Sequence, residues 1–451
     1  MGVALLYDAA DRADQYAAAL DGRSVFPPDS AVEALSAFDE PMPQHPAAPA
    51  KVLAMLDEFG SPATVAMSGR RYFGFVIGGS LPAALAANWL AGAWDQNAGM
   101  AICSPTAAKL EEVSAAWLVD LLDLPAATQV GFVTGATMAN FTALAAARHR
   151  VLAQAGWDVE EDGLFGAPPI TVIVGDEVHV SVLKALSMLG LGRKRIVRVP
   201  VDSQGGMRAD ALPRIEGPAI VCLQAGNVNT GAFDPAKQLC AIAHDAGAWV
   251  HVDAAFGLWA AVAPSRAHLM DGVNHADSWA TDGHKWLNVP YDSGLAFVRD
   301  GAAMKAAMSV THAAYLVETG TREPSHFTPE LSRRARGIEI WAALKSLGRT
   351  GLAEMIEGAC RHARHFADSL SAAGYKVANE VVLNQVLVSF GGDERTRRVI
   401  AAVQAEGTCW CGSTVWQGRA YMRISVSSWA TTTEDVEICL DAMLRIASET
   451  A

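Results

Sequence analysis

From residue 129 onward the chain alternates short apolar runs with helical stretches, and this rhythm constrains the fold more than any other feature. The runs are 130–133, 170–174, 196–199, 219–223, 248–252 and 295–298. A short continuous apolar run between helical patterns reads as a strand buried on both faces. Strands alternating with helices predict an α/β fold, a mainly parallel sheet covered on both sides. Such sheets bind ligands beyond the carboxyl ends of their strands, so polar residues there become candidates for chemistry.

The flanks read differently. Residues 1–65 give helical and loop pieces with a proline-rich break from Pro41 to Pro49, which suits an arm. Residues 80–124 are helical, with Leu110, Val113, Trp117, Leu118 and Leu121 at three- and four-residue steps. A loop over 319–331 precedes a long helix from Ser332, and 351–451 reads as an α+β tail with strands near 384–390 and 421–426. The expected division is an arm, 1–65, a large domain, 66–318, and a loop with a small domain, 319–451.

Composition narrows the function classes. With 51% apolar and 18% charged residues, the chain can bury a large core. Its net charge is −13, and Arg193-Lys194-Arg195 is among the few, short basic clusters. This argues against nucleic acid and anionic lipid as partners. No apolar stretch reaches the roughly 18 residues of a membrane span, and the N-terminus lacks a signal-peptide pattern. Seven scattered cysteines fit a reduced, cytoplasmic setting. Cys409-Trp410-Cys411 lacks a second ligand pair, so no metal site is expected.

Four motifs fall at predicted strand ends. Thr134-Gly135-Ala136-Thr137 links a strand to a helix, the geometry that offers backbone N–H groups to a phosphate. His179 follows 170–174; an imidazole there could stack on a flat ring or move protons, or simply be a loop residue. Asp253 ends 248–252; it could keep a pyridinium nitrogen protonated, or cap a helix. Lys285 stands beside His284 and apolar Trp286 and Leu287. A lysine kept from water is a usable amine nucleophile toward an aldehyde, with packing on Trp286 as the alternative. Asp253 and Lys285 are 285 − 253 = 32 residues apart, room for a helix and a returning strand. Together the motifs predict one site for pyridoxal 5'-phosphate (PLP).

On these motifs, with Ser104-Pro105, Leu110-Glu111, Gly226 to Pro235 and Arg333-Arg334-Ala335-Arg336, the chain resembles the group II PLP-dependent amino-acid decarboxylases. That family includes aromatic-amino-acid, glutamate and histidine decarboxylases. The resemblance implies a fold-type I homodimer, like aspartate aminotransferase, with active sites at the subunit interface. It implies Lys285 as the Schiff-base lysine, Asp253 on the ring nitrogen, and Ala255 and His179 on opposite ring faces. Ala136, Thr137 and His284 would hold the phosphate, and Asn227 would lie near cofactor or substrate.

Two residues depart from the family pattern. Asp282 stands where many relatives carry a phosphate-binding Asn, and a carboxylate beside phosphate is unfavourable unless protonated or turned away. The loop Tyr that protonates the substrate carbon in many relatives has no counterpart at Pro324, Ser325, His326 and Phe327, and Tyr315 lies too early. In some relatives its loss accompanies oxidative deamination to an aldehyde. The leading expectation is α-decarboxylation to CO2 and an amine, with His326 either a substitute donor or a solvated loop residue. Aldehyde synthesis, a carbon–carbon lyase and a PLP-binding protein without turnover are the alternatives. Arg419 and Arg423 could bind an acidic side chain or the α-carboxylate, or be solvated, and aromatic and acidic amino acids both stay open.

Overall fold

The computed structural model describes residues 3–309 and 322–450. Its strands are numbered along the chain. β1 is Tyr72–Phe73. β2 (Gln129–Val133), β3 (Thr171–Gly175), β4 (Val197–Val199), β5 (Ala219–Gln224), β6 (Trp249–Asp253), β7 (Ser278–Asp282) and β8 (Gly294–Val298) form a seven-stranded sheet. β9 (Lys376–Val377), β10 (Gln385–Ser389), β11 (Trp410–Trp416) and β12 (Arg419–Ser425) join β1 in a five-stranded sheet.

The large sheet has the order β2-β8-β7-β6-β5-β3-β4. Every pair from β7 to β4 is parallel, and β8 is antiparallel to both neighbours. The fold is the mainly parallel α/β architecture expected. β6, β7 and β8 are buried at every residue, which is why such strands read as apolar runs. The helix Ala136–Gln154 lies close on this sheet because Ala139, Ala143, Ala146 and Ala147 form its fully buried face.

The helical pattern over 80–124 resolves into two helices, Pro82–Trp94 and Pro105–Leu121. Asp95, with φ 48°, ends the first, and Ser104 Oγ caps the second by accepting from the Ala107 N–H. The long helix starts at Gly337, not Ser332, and runs to Ala372 across a non-helical Gly348. The onset is late because Arg333 and Arg336 are held in ion pairs with Glu111 and Asp292.

The contacts define two compact units that are not consecutive in sequence. One comprises Ser80–Arg364 with Asn379–Val386; the other comprises Met1–Gly79, His365–Ala378 and Leu387–Ala451. Among the described residues no helix is long and apolar enough to cross a membrane.

Candidate active site

Four strand ends of the large sheet build the site. β2 leads through Gly135 into the helix Ala136–Gln154, β3 leads to His179, β6 ends on Asp253, and β7 ends on Asp282. β8 runs the other way, so its first residue, Gly294, sits among these ends and pairs with both Val133 and Asp282. A Cβ on Gly294 would lie 2.4 Å from the Gly135 Cα, so only glycine lets the two halves of the site meet.

Lys285 Nζ pairs with Asp282 Oδ2 at 2.9 Å. Asp282 is buried; its Oδ1 accepts from the Ala136 N–H at 2.5 Å, and its carbonyl accepts from Trp259 Nε1 at 3.1 Å. The carboxylate thus occupies the first backbone donor of the phosphate-type turn, so the concern raised by the sequence takes a definite form. Gly135 offers no side-chain cap to that helix, which leaves its N-terminus suited to an anion. Thr137 follows Ala136 in this first turn.

His284 stacks on Tyr291 with ring centroids 4.2 Å apart. Its Nδ1 accepts from the Ser293 N–H at 3.0 Å, and its Nε2 lies 3.4 Å from Asp282 Oδ1. Burial holds its pKa down against the pull of Asp282. The ring is therefore neutral, with its proton on Nε2 facing the turn.

Asp253 is buried, and burial pushes its carboxyl up. His179 and Lys285 act in the opposite direction and Asp282 reinforces the rise, so these four groups share one electrostatic environment. Asp253 Oδ2 accepts from Ser181 Oγ at 3.3 Å, while Oδ1 is buried with no hydrogen-bond partner. An unpaired buried carboxylate oxygen is costly and suits a ligand N–H. His179 caps the helix Val180–Met188, with Nδ1 accepting from the Ser181 N–H. The Ala255 carbonyl accepts from the Asp282 N–H at 2.8 Å and Thr281 Oγ1 at 3.2 Å, which ties β6 to β7.

Asn227 is committed to local structure. Its Oδ1 accepts from the Asn229 and Thr230 N–H groups, and its Nδ2 donates to Gln224 Oε1 and Glu177 Oε2. Arg419 and Arg423 lie on β12 in the other compact unit, Arg419 exposed and Arg423 buried. His326 sits in a 3-10 turn, Pro324–Phe327, whose Ser325 N–H donates to the Gly99 carbonyl. Tyr315 and residues 319–321 lie outside the described residues. Sequence reasoning missed Ser181 and the local engagement of Asp282; Ser181, two residues after His179, carried no signal of its own.

A flat pyridine ring fits this donor set. Asp253 Oδ1 is buried with no hydrogen-bond partner, Lys285 carries an amine, and the helix Ala136–Gln154 has no side-chain cap at its N-terminus. These are the requirements of a PLP enzyme. The conserved domain of pyridoxal-dependent decarboxylases matches residues 35–391, and the chain belongs to that family, whose cofactor is PLP. A phenylacetaldehyde synthase of Petunia hybrida is 29% identical over 287 residues, 59% of this chain and 55% of that protein. An aspartate 1-decarboxylase of Aliivibrio fischeri is 31% identical over 254 residues, 52% of this chain and 46% of its own length. The match thus spans about half the length of these two curated relatives. The crystal structure of Oryza sativa TDC with PLP and tryptamine superposes with a TM-score of 0.90 at 22% identity, over 99% of this chain and 97% of that one. This last likeness shows the fold.

Proposed function

We propose that the chain is an L-amino-acid α-decarboxylase releasing CO2 and a primary amine. The observation that carries the reading is the buried, unpartnered Asp253 Oδ1 in the same electrostatic environment as the Lys285 amine. When bound, PLP supplies the electron sink into which the bond to the carboxylate breaks. Lys285 provides the amine that joins its aldehyde. Asp253 keeps the ring nitrogen protonated, which is what makes the ring a sink. His179 and Ala255 confine the two ring faces. Ala136, Thr137 and His284 hold the phosphate, and Asn227 shapes the loop beside the ring.

A homodimer with active sites at its interface is part of this reading. Leu85 with Trp89, and Leu90 with Trp94, lie one turn apart on the helix Pro82–Trp94 and are all exposed; a second copy would cover them. A cytoplasmic setting accords with the seven free cysteines. For organisation we retain the arm, 1–65, the cofactor-binding part, 66–318, and the loop with small domain, 319–451.

A second reading, an aldehyde synthase consuming O2 and water and yielding aldehyde, CO2, ammonia and hydrogen peroxide, is favoured by the absence of Tyr from residues 319–331. The same enzyme preparation separates the two. Incubated with a panel of L-amino acids, a decarboxylase gives CO2 and amine in equal amounts with little peroxide. Peroxide equal to CO2 identifies the synthase. Borohydride reduction should fix the cofactor to the peptide carrying Lys285; label on another lysine refutes the assignment.

A further inference from the structure

Behind Asp253 a line of buried polar groups crosses the sheet and its covering helices. Trp249 Nε1 donates to Ser278 Oγ at 2.8 Å. Ser278 Oγ lies 2.9 Å from His251 Nδ1, and His251 Nε2 lies 2.8 Å from Asn140 Oδ1. Asn140 Nδ2 donates to Ser181 Oγ at 3.2 Å. Ser181 Oγ is 3.3 Å from Asp253 Oδ2 and 2.8 Å from His179 Nδ1. None of the six residues from Trp249 to Asp253 is more than 6% exposed.

The two ends fix the direction of every bond between them. An indole N–H only donates, and an ionised carboxylate only accepts. Ser278 accepts from Trp249, so its single proton passes on to His251 Nδ1. His251 then carries its proton on Nε2 and gives it to the Asn140 carbonyl. This requires a neutral imidazole, and burial pulls the His251 pKa down to about 3. The Asn140 amide consequently faces Ser181, whose one hydroxyl proton is presented to Asp253 Oδ2 and His179 Nδ1. Asn140 lies one turn into the helix whose first residue, Ala136, opens the phosphate turn, and His251 pairs with Ser278 across β6 and β7. The relay therefore joins three of the four strand ends of the site.

We propose that Ser181, Asn140 and His251 are positioning residues for the cofactor. They hold Asp253 with Oδ2 turned into the relay and Oδ1 presented to the ring nitrogen, and through the same Ser181 hydroxyl they set the orientation of His179. The inference rests on the reading of Asp253 as the partner of the ring nitrogen. A carboxylate on a single bond is free to turn its two oxygens. Directed donation to one of them removes that freedom and favours the ionised form.

The test is titration of the cofactor-free enzyme with PLP, read by absorbance, with thermal unfolding of the same cofactor-free samples. Ser181→Ala should weaken PLP roughly tenfold, the effect of losing one hydrogen bond to a charged group. Ser181→Thr, which keeps the hydroxyl, should restore it. The thermal midpoint of the cofactor-free Ala variant should fall, because Asn140 Nδ2 and Asp253 Oδ2 lose their buried partner, while a single cooperative transition shows that the chain still folds, and Thr should recover both midpoint and affinity. Asn140→Leu should weaken PLP to a similar degree, and the double variant should lose less than the sum of the two singles, because Asn140 acts on Asp253 through Ser181 as well as directly. Parent-like affinity in Ser181→Ala, failure of Thr to restore it, or full additivity in the double variant overturns the relay. Asp253→Asn separates the two levels. If its turnover is normal, the reading of Asp253 itself fails; if it is impaired while Ser181→Ala is not, only the relay fails.

Discussion

Asp282→Asn removes one negative charge from the place where the phosphate of PLP is expected. In the structure the carboxylate is buried, takes the Ala136 N–H with Oδ1 and pairs with Lys285 through Oδ2. A phosphate using the same helix N-terminus carries about −1.5 to −2 charges. Unit charges about 5 Å apart in an effective dielectric near 20 interact by about 3 kcal/mol. The Lys285 nitrogen offsets about one of the phosphate charges, which leaves a net repulsion of roughly 1.5 to 3 kcal/mol, or a ten- to hundredfold penalty in Kd. Asn has the same shape, and its carbonyl oxygen can still accept from Ala136. The assay is parallel titration of cofactor-free parent and variant with PLP and with pyridoxal, which lacks the phosphate. The variant should bind PLP ten- to a hundredfold more tightly and pyridoxal no more tightly. Unchanged or weaker PLP binding, or an equal gain for pyridoxal, refutes the repulsion argument.

Three further outcomes are expected. Asp253→Asn should retain much of the bound PLP but lose roughly 100-fold or more in turnover, since a charge-assisted bond worth several kcal/mol is lost where the ring takes up electrons; steady-state kinetics on cofactor-saturated enzyme reads this directly. His326→Ala should slow amine formation and raise peroxide and aldehyde if His326 delivers the proton, and identical product ratios in parent and variant would make it a bystander. Glu111→Gln should cost about 3–5 kcal/mol in denaturant unfolding of the cofactor-free chain. It leaves the buried Arg333, bound at 2.7 and 2.9 Å, and the nearby Arg322 without their counter-charge.

How much was legible in the sequence depended on where the information was stored. β3 and β5 stood out because of their buried apolar runs, Val172 to Val174 and Ala219 to Leu223, and β6 because Trp249, Val250 and Val252 surround His251. β7, Ser278-Trp-Ala-Thr-Asp282, is equally buried yet half polar, since its Ser278 and Asp282 side chains are satisfied by partners from other elements. Nothing local announces that. β11 gave no apolar run because Gly412, Ser413 and Thr414 interrupt it, while the thiols of Cys409 and Cys411 are buried, as the pattern of that pair implied. The break between the helices at 82–94 and 105–121 was announced by Ser104-Pro105, a cap followed by a first-turn proline, which the spacing of apolar residues alone does not weigh. At the site, the strand-end position of Asp253 followed from the sheet pattern. The engagement of Asp282 with Ala136, 146 positions away, and the line from Trp249 to Ser181 depend on side-chain directions from separate elements.

The pairing of β1 with β11 has a consequence for how the protein is made. Tyr72 aligns with Trp410 and Phe73 with Cys411, 410 − 72 = 338 residues apart. Tyr72 also stacks on Trp410 at 5.2 Å, and Phe73 packs edge-on against Phe366. At about 5–20 residues per second of synthesis, the ribosome needs roughly 20 to 70 s after Tyr72 to produce its partner. Throughout that interval the emerging N-terminal segment has aromatic side chains and unpaired strand edges with nothing yet to cover them. The large parallel sheet can assemble first. The growing chain must therefore keep its own beginning from aggregating until its end arrives, and the slower the synthesis, the longer that exposure lasts.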